Sequence, residues 1–186
     1  MGFALAQELA NKGARVILLT GPVSIQVNHP LIEKVDVVSG EEMYQKAVEF
    51  FPQTHGAIMC AAVADYRAAE QNPHKIKRKT GKLTLELIPN PDIAARLGEM
   101  KKDKQVLAGF ALETHNELDN AQNKLQKKNL DFIVLNSLND VGAGFQTDTN
   151  KITILDKYNK IINFELKHKN SVASDIVNYL MKFMQV

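Results

Sequence analysis

The stretch GAIMCAAVADY, residues 56–66, decides how the rest of the chain is read. Its first seven residues are glycine or apolar with no alternation, the pattern of a strand covered on both faces, as in a parallel sheet. The run then breaks into small residues and a carboxylate, Asp65. Working outward, RVILLT (residues 15–20) is a second such run, stopped by Gly21-Pro22. Val35–Val38, Val106–Ala111 and Asp131–Leu135 read as further strands. Helices are predicted between them. Gly2–Asn11 places Phe3, Leu5, Ala6 and Leu9 towards a core and is closed by Gly13. Ser39 with Glu42 forms a capping box for a helix to about Phe51, and Thr114 with Glu117 forms another for a helix to about Asn129. At Asn90-Pro91-Asp92 the expected cap is Asn90, with Pro91 in the first turn and Asp92 favoured by the helix dipole. A hairpin over Lys151–Asp156 and Ile161–Leu166 and a helix over Ser171–Met184 end the chain. Strands alternating with helices predict a three-layer α/β sheet, mostly parallel, with the hairpin adding antiparallel strands at an edge. Leu83–Ile88 (LTLELI) alternates and reads as a half-exposed strand.

Composition bounds the function. At 186 residues and 45% hydrophobic the chain suits one domain with a real core. Charged residues at 24% and a net charge of +2 exclude a disordered chain and a histone-like binder. The single cysteine, Cys60, forms no internal disulfide and belongs to no CxxC pair; it reads as an inert core residue. No apolar run approaches the roughly 20 residues that span a bilayer, and the start lacks a basic region ahead of its apolar residues, so a cytoplasmic protein with no membrane partner is expected. Five scattered histidines offer no zinc spacing.

The near-neutral charge is an average. Between Gln71 and Lys82 lie five basic residues (Lys75, Lys77, Arg78, Lys79, Lys82) and no acid, which leaves −3 for the remainder of the chain. The segment Arg67–Lys82 is too long and too charged for an ordinary connection, and reads as an inserted basic flap. Two readings stand: a solvated loop, or lysines that neutralise phosphate oxygens beside Asp65, the carboxylate at a strand tip that holds or orients Mg²⁺. Asp65 itself is either an Asx-type turn residue or a ligand. Nucleic acid is not expected, because no aromatic residue interleaves with the lysines. Small residues at Ala61 and Ala62 would let a ligand approach the backbone. Phe110, beside Gly109, is either core or a stacking surface for a planar base. Lys124 and Lys128 are four apart and share a helix face, as solvated lysines or as phosphate contacts. One element is expected and not found. An open α/β sheet begins with a strand and a glycine-rich turn ahead of its first helix, whereas this sequence opens on the helix and contains neither GxGxxG nor GxxxxGK[ST]. The expectation is that the natural first strand and loop are missing, the other reading being a sheet that starts later.

MGFALA (1–6), LLTGPVS (18–24), CAAVADYRAA (60–69), KIKRK (75–79), NPDI (90–93), GFALET (109–114) and KNLDFIVLN (128–136) follow one another at intervals that together closely resemble phosphopantothenoylcysteine synthetase, over essentially the whole chain. The resemblance implies a Rossmann-like αβα fold, a homodimer, and in many bacteria fusion behind a flavin-dependent decarboxylase. It implies a ligase that joins 4′-phosphopantothenate to L-cysteine through an acyl-nucleotidylate, with CTP as co-substrate and Mg²⁺. On that reading Lys75 closes over the triphosphate, Asp65 holds nucleotide or its Mg²⁺, Asn90, Pro91, Asp92, Ile93 and Phe110 hold base and ribose, Lys124 and Lys128 reach phosphates, and Ala61 and Ala62 line the substrate side. The chain departs from the family by lacking its glycine-rich loop and the R-x-I-S-N-x-S-S-G-type segment. Two rivals remain in view: a Rossmann-type NAD(P) oxidoreductase, which the Thr20-Gly21-Pro22 turn disfavours, and a non-catalytic nucleotide-binding dimerisation module.

Overall fold

Two of the apolar runs lack alternation because each is covered twice, whereas RVILLT is covered only in part and leaves Ile17 37% exposed. In β6 (Val106–Glu113), Val106 and Ala108 pack on one side of the sheet while Leu107 and Ala111 pack on the other; in β7 (Phe132–Ser137), Phe132 and Val134 oppose Ile133 and Leu135 in the same way. The computed structural model describes residues 1–70, 72–78, 81–113, 116–137 and 148–184. Its central sheet has five strands in the order β10-β9-β7-β6-β3, with β3 (Gly56–Met59) parallel to β6 and β6 parallel to β7. The hairpin β9 (Ile152–Asp156) and β10 (Ile161–Asn163) completes it, antiparallel, at one edge. Above lie α2 (Gly40–Phe50), α3 (Ile93–Met100) and α4 (Glu117–Lys127), which bury Met43, Ala47, Leu97, Ala121 and Leu125. Below lie α1 (Gly2–Asn11) and α5 (Lys169–Met184), which bury Leu5, Val172, Ile176, Val177 and Leu180. Phe132 meets Tyr179 of α5 edge-on at 5.3 Å. This is the three-layer Rossmann-like α/β arrangement expected.

A second, two-stranded piece of sheet lies between the same helices. β1 (Val16–Thr20) runs parallel to β2 (Ile32–Asp36). β1 packs against both α1 and α2, which pack in turn on α5 and α3, and these two cover β6. Among the described residues, β1 bonds only to β2 and β3 only to β6, so each keeps one unpaired edge.

Several boundaries moved for identifiable reasons. β2 begins and ends earlier than Val35–Val38, because Val16 draws the preceding residue into register by donating to the Leu31 carbonyl. Val38 then leaves the strand and is 79% exposed. Of Leu83–Ile88 only the end is paired: β5 (Leu87–Pro89) meets β4 (Tyr66–Ala68), a strand not foreseen inside the basic insertion. The second hairpin strand stops at Asn163, and Lys167–His168 (β11) pairs instead with Thr149–Asn150 (β8). The cap of α3 is Asp92, which accepts from the Ala95 N–H at 3.0 Å, and not Asn90, whose side chain is committed elsewhere. Ser39 caps α2 as expected, accepting from the Glu42 N–H at 3.1 Å. Thr114, expected to cap α4, lies outside the described residues, as does Lys79 of the basic loop.

At the opposite end of the sheet from Asp65, Asp131 is 2% exposed and accepts from the Leu107 N–H at 2.8 Å, from Lys101 at 3.1 Å and from Lys157 at 2.8 Å. The bond to Asp131 pushes the Lys157 ammonium up, with burial opposing. Asp156, equally buried, accepts from the Tyr179 hydroxyl at 2.6 Å and from the N–H groups of Tyr158 and Lys160. These two carboxylates tie the hairpin turn to α5 and to the start of β7.

Candidate active site

β3 ends at Met59, and its chain continues outward through Cys60 into the small-residue loop Ala61–Asp65. Ala61, Ala62 and Ala64 are exposed. Val63 is half-buried because α2 starts against it; a Cβ on Gly40 would lie 2.9 Å from Val63 Cγ1. The loop is held by Asn90, whose backbone N–H donates to the Asp65 carbonyl at 2.8 Å and whose amide donates to the Ala64 carbonyl at 2.8 Å. The Asn90 amide oxygen accepts from Arg67 at 3.1 Å, and the same guanidinium donates to the Pro89 carbonyl at 3.0 Å and pairs with Glu41 of α2 at 3.5 Å. Asn90 thus clasps the β3 loop to β5 and to α2. The Asp65 carboxylate is left pointing to solvent, exposed and with no hydrogen bond or ion pair to a described residue.

One turn on, Asp92 holds the start of α3 and accepts an ion pair from Lys128 at 3.0 Å. Burial pushes its carboxyl up, but the Ala95 N–H and Lys128 outweigh that and hold it below the usual carboxylate range. Lys128 reaches it because Gly98 of α3 has no side chain: a Cβ there would fall 2.0 Å from the Lys128 carbonyl oxygen. Lys124, on the next turn back along α4, is half-buried. Ile93 is 5% exposed and belongs to the core, so this turn offers a ligand backbone and not the Ile93 side chain. Phe110 is half-buried against the α1 and α5 side of the sheet. The space beside it at Gly109 is taken by Leu130, whose Cδ1 lies 2.7 Å from where a Cβ would be, so that glycine admits a core side chain.

Lys75, Lys77 and Arg78 are exposed and make no hydrogen bond or ion pair with a described residue. Cys60 accepts from the Gly2 N–H; burial pushes its thiol up, away from nucleophilic use, as expected of an inert core residue. No cluster of three metal-ligating side chains occurs among the described residues. A lone, solvent-facing carboxylate such as Asp65 fits a magnesium ion that arrives on phosphates, not one held by the protein alone. A shallow surface hollow of about 310 Å³ lies beside α1, lined by Phe3, Gln7, Val27 and His168 among others; none of the strand-tip residues lines it. Arg67 is the site residue that sequence reasoning passed over. Its position straight after the Asp65-Tyr66 pair was the available signal.

An open, centrally parallel sheet with a small-residue loop and an exposed carboxylate at one strand tip is the arrangement in which α/β proteins generally take a ligand at the carboxyl ends of their strands. The chain belongs to the DNA/pantothenate metabolism flavoprotein C-terminal domain family, whose profile matches residues 1–184. It is 38% identical over 185 residues to the coenzyme A biosynthesis bifunctional protein CoaBC of Haemophilus influenzae, covering 100% of this chain and 46% of that protein. It is 40% identical over 177 residues to CoaBC of Bacillus subtilis, covering 95% of this chain and 43% of that protein. A protein named cysteine/cysteine sulfinic acid decarboxylase, from an unknown prokaryotic organism, is 50% identical over 97% of this chain and 50% of its own length. The chain spans about half the length of these curated relatives. Among solved structures, the C-terminal domain of CoaBC superposes with a TM-score of 0.82 at 33% identity over 99% of this chain and 82% of that one. The fold is shared with a Cab2 variant in complex with phosphopantothenate-cysteine, at a TM-score of 0.73 and 16% identity over 99% of this chain and 78% of that one. Among the described residues no helix is long and apolar enough to cross a membrane.

Proposed function

We propose that this chain is the synthetase part of a coenzyme A biosynthesis protein, joining 4′-phosphopantothenate to L-cysteine at the expense of CTP. The observation that carries this reading is the match to the family from residue 1 to residue 184, with the motifs from MGFALA to KNLDFIVLN in order along it. In the first step a carboxylate oxygen of phosphopantothenate bonds to the α-phosphorus of CTP, and pyrophosphate leaves. In the second, the cysteine amine bonds to the acyl carbon, CMP leaves with the bridging oxygen, and the amine gives up a proton to yield the amide.

The residues take parts that suit their chemistry. Lys75, with no hydrogen bond or ion pair to a described residue, neutralises charge developing on the α-phosphate. Asp65 holds the nucleotide or the magnesium ion that accompanies it, and magnesium supplies further charge neutralisation when bound. The Asn90–Asp92 turn presents backbone groups to base and ribose, and Phe110 flanks the sheet below them. Lys124 serves the phosphates; Lys128 does so only by giving up Asp92. Ala61 and Ala62 leave the backbone open to the acyl group. A homodimer, and a flavin-dependent decarboxylase fused to or associated with this chain, complete the reading.

The test is pyrophosphate release by the full-length protein with CTP, Mg²⁺ and 4′-phosphopantothenate. Lys75→Ala should remove most of it, about 100-fold or more as for loss of one aimed charge. Normal turnover in Lys75→Ala refutes the role given to Lys75, and the absence of CTP-dependent pyrophosphate release from the full-length protein refutes the assignment.

A further inference from the structure

Arg67 lies on β4, where the basic insertion begins, and the groups it meets belong to two other stretches of chain. Its Nη1 donates to the Pro89 carbonyl at 3.0 Å and to the Asn90 amide oxygen at 3.1 Å, where the insertion rejoins the body of the protein. Its Nη2 lies 3.5 Å from the carboxylate of Glu41 in the first turn of α2. The guanidinium is only half-buried, so the ion pair contributes little to stability by itself. What the arrangement does fix is a direction.

A side-chain amide accepts at one end and donates at the other, and that of Asn90 is constrained at both. A guanidinium only donates, so the amide oxygen must face Arg67. The Ala64 carbonyl only accepts, so the amide nitrogen must face Ala64, to which it donates at 2.8 Å. Turned over, the amide would set donor against donor and acceptor against acceptor. Gly40 lets α2 begin close against this group: a Cβ there would lie 3.5 Å from the Asn90 Cγ and Nδ2 and 2.9 Å from Val63 Cγ1. Without Arg67, the Ala64 carbonyl alone would orient the amide. Once the amide turns away, the Asp65 loop and the turn ahead of α3 are left with the bond from the Asn90 N–H to the Asp65 carbonyl.

We propose that Arg67 is a positioning residue for the nucleotide: held by Glu41, it fixes which way the Asn90 amide faces, and through Asn90 it sets Asp65 against the Asn90–Asp92 turn. The proposal rests on the nucleotide reading above and adds to it a residue that touches no ligand. The test is steady-state pyrophosphate release by the full-length protein, with CTP and 4′-phosphopantothenate varied in turn. Arg67→Ala should raise the KM for CTP about tenfold, while kcat and the KM for phosphopantothenate change less than about threefold, the pattern of uniform binding lost. Partial unfolding would lower the amount of active enzyme, hence kcat, and leave KM in place, so the split separates positioning from support of the fold. Arg67→Lys keeps the charge without the planar fork and should fall close to Arg67→Ala. In an Asn90→Ala background, Arg67→Ala should add less than about twofold to the KM for CTP, because the amide it orients is gone. Absence of CTP-dependent release from the unaltered protein overturns the nucleotide reading and this proposal with it. With that release present, any of three results overturns the proposal alone: an unchanged KM for CTP in Arg67→Ala, an unaltered KM in Arg67→Lys, or full additivity with Asn90→Ala.

Discussion

Asn90 holds the loop that carries Asp65, and its truncation to alanine separates the two roles assigned to it. The side chain makes one bond to a neutral carbonyl, Ala64 at 2.8 Å, and one to a charged group, Arg67 at 3.1 Å. Net contributions of about 1 kcal/mol and about 1.5–3 kcal/mol are usual for such bonds when buried. Asn90 is only half-buried, so the discounted loss is about 1–3 kcal/mol. For a domain of this size that lowers the melting midpoint by roughly 2–12 °C. The chain has no tryptophan, so urea unfolding is best followed by far-ultraviolet circular dichroism. Asn90→Asp sharpens the test. Its carboxylate would serve Arg67 better but would set an oxygen where the amide now donates to Ala64, so at neutral pH it should be no more stable than Asn90→Ala. Both variants should also lower the pyrophosphate release proposed above, because the side-chain bond to the Ala64 carbonyl is lost and the Asp65 loop keeps only the backbone bond from the Asn90 N–H. An Asn90→Ala protein whose unfolding midpoint matches the original would refute the clasp, whatever its activity.

Asp131→Ala removes a 2% exposed carboxylate from two lysines and a backbone N–H, and should cost about 3–5 kcal/mol in urea titrations. Gly98→Ala drives a methyl into the Lys128 carbonyl, so α3 must shift from α4; a loss of about 1–3 kcal/mol is expected by thermal unfolding. Burial, and then the bond to Asp156, push the Tyr179 hydroxyl well above its ordinary value. The native state therefore keeps a proton that the unfolded chain loses near pH 10, so this contribution is complete below about pH 10 and fades as pH rises further. Urea midpoints at pH 8 and pH 11 should fall further apart in the unaltered chain than in Tyr179→Phe.

What could be read from the sequence was whatever depends on near neighbours or on burial alone. The helix Gly2–Asn11 and the doubly covered runs around Ile58, Ala108 and Val134 are of this kind, since an apolar stretch without alternation has few other homes. The Ser39–Glu42 cap was legible because both partners lie within one turn. Choices made by distant partners were not. Asn90 and Asp92 are equally good caps in isolation, and the choice falls to Asp92 because Ala64 and Arg67, more than twenty residues upstream, claim Asn90. Lys128 could be read as a solvated lysine or as a phosphate contact, and the fold brings Asp92 within 3.0 Å of it. Phe110 beside Gly109 could be read as core or as a stacking surface for a base, and in the fold Leu130 fills the space at Gly109. β4 was invisible because three residues, Tyr66–Ala68, become a strand only when β5 lies beside them.

The clasp around Asn90 bears on how the site behaves as a mechanical object. Ala64 and Arg67 on one side and Glu41 on the other are joined through this one turn, so the Asp65 loop moves with the starts of α2 and α3 and not by itself. A molecule that stiffened any one of the three would stiffen the others, and its binding free energy would be shared among them. Anything that loosened α2 would then be felt as weaker binding at a carboxylate it never touches.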